Sequence, residues 1–94
     1  MYKSLLINRI NPQDYTKNKK KIFIMIGEMN VPYIENKLID TIKKSCLVTE
    51  DEAVYKYNGV ELNIDVQTIP QIIRILAVED LSIYSVYEIY NPEV

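Results

Sequence analysis

Two short β-favouring runs joined at Asn58-Gly59 constrain this chain more than any other feature. Residues 53–57 (AVYKY) and 60–64 (VELNI) suit strands. Asn-Gly between them offers the two residue types that most readily take positive φ, as a type I′ turn requires at both central positions. In the second run Val60, Leu62 and Ile64 point one way while Glu61 and Asn63 point the other. That alternation marks one buried and one wet face. A β-hairpin is expected here.

The flanks repeat one another approximately. Residues 22–26 (IFIMI) are apolar on both faces, as fits a central strand covered on both sides, or covered once and paired across an interface. Asn30 then reads as a helix cap with Pro32 in the first turn, where a missing N–H costs little. Ile34, Leu38, Ile39, Ile42 and Cys46 follow at helical spacing, with Glu35, Lys37, Lys43 and Lys44 on the other side. Lys43 and Lys44 suit the negative end of the helix dipole. Cys46 fits the apolar stripe and is expected to be a buried structural thiol. Glu50-Asp51-Glu52 reads as a turn before the hairpin.

After the hairpin, residues 65–68 lead into a second helix with Pro70 in its first turn and Ile69, Ile72, Ile73 and Leu76 along one side. Glu79-Asp80 is a turn, and residues 81–90 form a final strand that Asn91-Pro92 ends. Strict alternation puts Leu81, Ile83, Ser85, Tyr87 and Ile89 on one face of it and Ser82, Tyr84, Val86, Glu88 and Tyr90 on the other. Neither face is cleanly polar.

The order from Ile22 is therefore β-α-β-β-α-β. Two right-handed strand–helix–strand units interleave into a four-stranded antiparallel sheet with both helices on one face, the ferredoxin-like α+β sandwich. The chain of 94 residues is long enough for one domain, assigned to residues 22–94. Residues 1–21 read as an N-terminal strand or arm, with SLLINRI at 4–10, followed by a lysine-rich linker after Asn11-Pro12.

Charge and chemistry narrow the function. The net charge of −2 hides a basic start, with Lys3, Arg9, Lys17, Lys19, Lys20 and Lys21 against Asp14 alone. From Ile22 onward acids outnumber bases, which disfavours a phosphate backbone. There is no histidine, so the commonest general base and metal ligand are missing. One cysteine supplies neither a disulfide nor a thiolate metal site, and Gly27 and Gly59 cannot build a phosphate-cradling loop. No enzymatic activity, cofactor or metal is expected. The sequence has no run of about 18 apolar residues and no leader pattern, so a cytoplasmic protein without a membrane span is expected. Abundant Lys, Asn, Ile and Tyr with scarce Ala point to an AT-rich genome, that of a low-GC bacterium or its phage.

Protein–protein interaction is the function class that remains. Tyrosine offers apolar area with a polar tip, and an edge strand offers unpaired backbone groups. Tyr84, Val86, Tyr87 and Tyr90 on the terminal strand, with Leu5 and Ile7 near the start, are the candidate interface residues. The leading expectation is a non-enzymatic interaction or regulatory module whose partner is a protein, including a second copy of itself. One alternative is a small acidic phage or mobile-element inhibitor of a host nucleic-acid enzyme. Another is a weak single-stranded nucleic-acid binder using Lys17, Lys19, Lys20 and Lys21, with Phe23 and Tyr55 or Tyr57 to stack on bases.

Ile69, the run Ile72-Ile73-Arg74-Ile75-Leu76 and the run from Leu81 to Glu88 carry one further likeness. Residues 69–94 resemble the end of the small C-terminal accessory domain that follows the nucleotide-binding domain in some ABC-type ATPases of low-GC bacteria. In that family an acidic turn and a short terminal helix follow, where this sequence reads Asn91-Pro92-Glu93-Val94. The phosphate loop, signature motif and switch histidine are all missing, so the resemblance implies a detached regulatory module and transfers no functional residue.

Overall fold

The computed structural model describes residues 10–89. Six main elements follow in the order β1 (Lys20–Ile26), α1 (Pro32–Ser45), β2 (Ala53–Lys56), β3 (Gly59–Ile64), α2 (Ile69–Val78) and β4 (Ile83–Glu88). Short 3-10 turns at Glu50–Glu52 and Val66–Thr68 precede β2 and α2. The strands form one antiparallel sheet in the order β2-β3-β1-β4. Non-consecutive neighbours β3-β1-β4 mean that each helix carries the chain across the sheet.

The core follows from alternation. Ile22, Ile24 and Ile26 on β1 share a face with Val60, Leu62 and Ile64 on β3, with Ile22 opposite Leu62 and Ile24 opposite Val60. Leu38 and Ile42 from α1 and Ile72 and Leu76 from α2 close over them in a single cluster. Full burial of each such side chain contributes about 1.5–3 kcal/mol, so these positions hold the two layers together. β1 lies between β3 and β4, which explains why its other face is apolar too: Phe23 is only 6% exposed.

Four local features depart from the sequence expectations. The hairpin is present, but Tyr57 and Asn58 form its two-residue turn, and Gly59 begins β3 opposite Lys56. Neither turn residue has positive φ, so the turn is not type I′. Gly59 is required for a different reason. A Cβ there would collide with the Ile24 carbonyl oxygen on β1, so glycine permits the close approach of the two strands.

At the start of α1, Val31 rather than Asn30 is the N-cap, and no side chain caps the helix. The Val31 carbonyl accepts from the N–H groups of Ile34 and Glu35 at 2.9 and 3.1 Å. Met29 turns inward and is buried, while Asn30 is exposed. Cys46 likewise lies outside the apolar stripe. The helix ends at Ser45, whose Oγ donates to the Ile42 carbonyl and accepts from the Leu47 N–H. Cys46 then takes a left-handed conformation (φ 59°) that turns its thiol into solvent.

β1 begins at Lys20, inside the stretch expected to be a linker. Residues 10–19 are tied to the domain. Ile10 packs against the core, and Gln67 Nε2 donates to the carbonyls of Pro12 and Asp14 at 2.8 and 3.1 Å. Asp14 Oδ1 accepts from the Thr16 N–H and hydroxyl, an Asx-type turn.

Candidate functional site

Among the described residues β4 is an edge of the sheet, and its pairing with β1 sets what each side chain does. Ser85, Val86, Tyr87 and Glu88 lie opposite Met25, Ile24, Phe23 and Ile22 in regular register. The register then slips, and Ile26 pairs with Ile83, leaving Tyr84 as the extra residue of a β-bulge. Ile83 and Val86 therefore both pack against the core, although strict alternation had placed them on opposite faces. Ser85 and Tyr87 look out from the face without helices.

The bulge turns Tyr84 outward, where it is 70% exposed. Its ring stands over Gly27, where a Cβ would come within 2.5 Å of Tyr84 Cε2. Tyr87 is anchored differently. Its ring meets that of Phe23 with centroids 5.6 Å apart and planes inclined at 44°, within the range in which aromatic pairs attract. The two residues are direct cross-strand neighbours and belong to a row across the whole sheet: Val54, Glu61, Phe23, Tyr87. Val54 and Tyr87 at its ends are 47% and 41% exposed. Lys56 approaches Glu61 within 4.0 Å beside this row.

The structure does not gather the basic run into one patch. Lys19 pairs with Glu52, and Lys20 stands 3.9 Å from Asp14. Lys20 and Lys21 are successive strand residues and point to opposite faces. Lys17 sits in a left-handed turn at φ 66°. The Glu52 carboxyl is held below the usual range by its hydrogen bond from Lys19 and by the Thr49 N–H, which donates to Oε1 at 3.0 Å. The Asp14 carboxyl is lowered by the Thr16 hydroxyl and N–H and by the charge of Lys20.

The aromatics proposed to stack on bases are also separated. Phe23 lies on the helix-free face and Tyr55 opposite Val60 on the helix side, where burial and the charge of Glu50 raise its phenol. Tyr57 is in the turn, 90% exposed. Tyr90, Leu5 and Ile7 lie outside the described residues.

One arrangement had no signal in the sequence reading. Lys37 Nζ of α1 donates to the Glu79 carbonyl at the end of α2 at 2.7 Å, and lies 5.1 Å from the Tyr33 ring centroid. A cation thereby meets the negative pole of the neighbouring helix. Among the described residues no helix is long and apolar enough to cross a membrane.

Comparison of the chain with protein-family models, with curated proteins and with solved structures gives no match. The likeness of residues 69–94 to an ABC accessory domain accordingly rests on its apolar positions alone.

Proposed function

We propose that this chain is a ferredoxin-like, non-enzymatic protein-interaction module that acts through the edge strand β4 and its tyrosines. The order of elements and the β2-β3-β1-β4 arrangement suit two interleaved strand–helix–strand units. The observation that carries the functional reading is the display of Tyr84 and Tyr87 on an edge strand, one lifted out by a bulge and one fixed against Phe23. A residue held in place before binding loses little rotamer entropy when a partner arrives, which favours aromatic anchors of this kind.

The double substitution Tyr84→Ser and Tyr87→Ser tests the reading. Neither ring belongs to the helix-side core, so the fold is expected to persist while association with self or partner weakens at least about tenfold, the loss of one aromatic anchor. Unchanged association in a folded double variant refutes it. The nucleic-acid reading has less support, since Lys19 and Lys20 already face carboxylates and Phe23 is covered.

A further inference from the structure

The two edges of the sheet are unequally defended. β2 has four residues, ends in Lys56 and follows the acidic turn Glu50–Glu52. β4 runs Ile83, Tyr84, Ser85, Val86, Tyr87 before its first charge at Glu88, with neither proline nor glycine. Natural sheets protect free edges with charge, proline or extreme shortness, because open N–H and C=O groups otherwise recruit another strand. Only the bulge at Tyr84 interrupts this edge, and it leaves residues 85–88 in regular pairing.

The direction of the backbone groups follows from one hydrogen bond. Ile89 N–H donates to the Lys21 carbonyl at 2.9 Å, so position 89 points inward to β1. Inward and outward positions alternate along an antiparallel strand. Ser85 and Tyr87 therefore also point their backbone groups inward, and Val86 and Glu88 point theirs away from the sheet. Among the described residues no strand takes up those outward groups.

We infer that β4 pairs antiparallel with β4 of a second copy of this chain, joining two sheets into one of eight strands with Val86 of each copy at the two-fold axis. This rests on the edge-strand reading above and names its partner. A second copy suits the edge because a two-fold antiparallel pairing is self-complementary. With Val86 opposite Val86, outward backbone groups meet outward groups. The same register sets Ser85 beside the partner's Tyr87 on the helix-free face and Val86 beside the partner's Val86 on the helix side. A shift by one residue breaks both matches, since it sets helix-side residues opposite helix-free ones. The Val86-centred register also keeps the Glu88 carboxylates apart, each near the bulged end of the other strand.

The test is the molar mass of the full chain by light scattering from roughly 10 µM to 1 mM, the span in which a small strand-to-strand contact associates. The expected result is a rise from 11.0 kDa toward twice that mass. Val86→Pro removes an N–H that makes no bond to β1, so it is expected to leave a folded chain that stays monomeric throughout. The pair Ser85→Lys with Tyr87→Lys, both on the helix-free face, sets like charges opposite each other across the axis and gives the same result while leaving the helix-side core untouched. A dimer that survives in a folded variant of either kind overturns the inference. A wild-type monomer whose Val86 and Glu88 amide resonances shift with an uncharged Thr/Val strand peptide also overturns it, and leaves the edge-strand reading standing. A wild-type monomer with no such shift overturns both.

Discussion

The ring of Tyr84 occupies the space that a side chain at position 27 would need. Gly27 N–H donates to the Ser82 carbonyl at 2.9 Å, so the turn after β1 is fastened to the residue just before the strand that carries the tyrosine. Gly27→Ala is expected to displace an exposed ring, costing less than about 1 kcal/mol. The aromatic chemical shifts of Tyr84 report the displacement. Because Tyr84 is proposed to bind, the same substitution is expected to weaken association while the fold persists.

Gly59 gives the opposite outcome. Its missing Cβ faces the Ile24 backbone, which has nowhere to move in the centre of the sheet. Gly59→Ala is expected to lose about 2–4 kcal/mol or to fail to fold, read by urea unfolding. A loss near that of Gly27→Ala contradicts the proposed cause.

The two helices end on left-handed residues that carry side chains. Cys46 follows α1 at φ 59°, and Asp80 follows α2 at φ 62°. At the second site Asp80 N–H donates to Ala77 and Leu81 N–H to Leu76, a Schellman motif whose buried Leu81 packs back toward the helix end. Glycine takes this conformation without steric cost, so Cys46→Gly and Asp80→Gly are each expected to stabilise by about 0.5–1 kcal/mol. In the wild type the exposed Cys46 thiol is expected to react with a thiol reagent without denaturant.

Acid is expected to loosen the contact between residue 19 and the turn before β2. Glu52 has a folded pKa below its ordinary value of 4.5, so its charge favours the folded state above that pH. The contribution is lost as pH falls through the lowered folded value. Lys19→Ala removes the largest cause and is expected to move the Glu52 titration upward, followed by its side-chain carbon shift in NMR. An unmoved titration contradicts the assigned cause.

Phe23 tests the helix-free face. It is covered to nearly the degree of the core isoleucines, so Phe23→Ala is expected to cost about 3–5 kcal/mol. Tyr87→Ala, at a half-exposed site, is expected to cost only about 0.5–1.5 kcal/mol, the worth of the ring pair. Urea midpoints of the two variants separate the cases.

Much of the architecture was legible from local pattern. The alternation of Val60, Leu62 and Ile64, the helical spacing of Leu38 and Ile42, and that of Ile72 and Leu76 each report a buried face, because burial imposes the period of the element on its apolar residues. The doubly apolar run from Ile22 to Ile26 announced a strand with neighbours on both sides. Tyr84 and Tyr87 were also marked as candidates by residue type and by their place in the last strand.

Other features depended on contacts across the sheet, which no local window contains. Whether Gly59 serves a turn or a close strand approach depends on where Ile24 passes. Whether Cys46 continues the apolar stripe depends on how Ser45 ends the helix. The bulge at Tyr84 is a mismatch in length between β4 and β1 and leaves no mark in the residues IYSVY, yet it changes which side of the sheet each later residue meets. The sequence by itself determined the main helices and strands and the buried faces of α1, β3 and α2, since these follow from short-range periodicity. The tertiary structure alone decided which tyrosine faces solvent, which faces Phe23 and which backbone groups lie open on the edge, since register is a relation between strands distant in the chain.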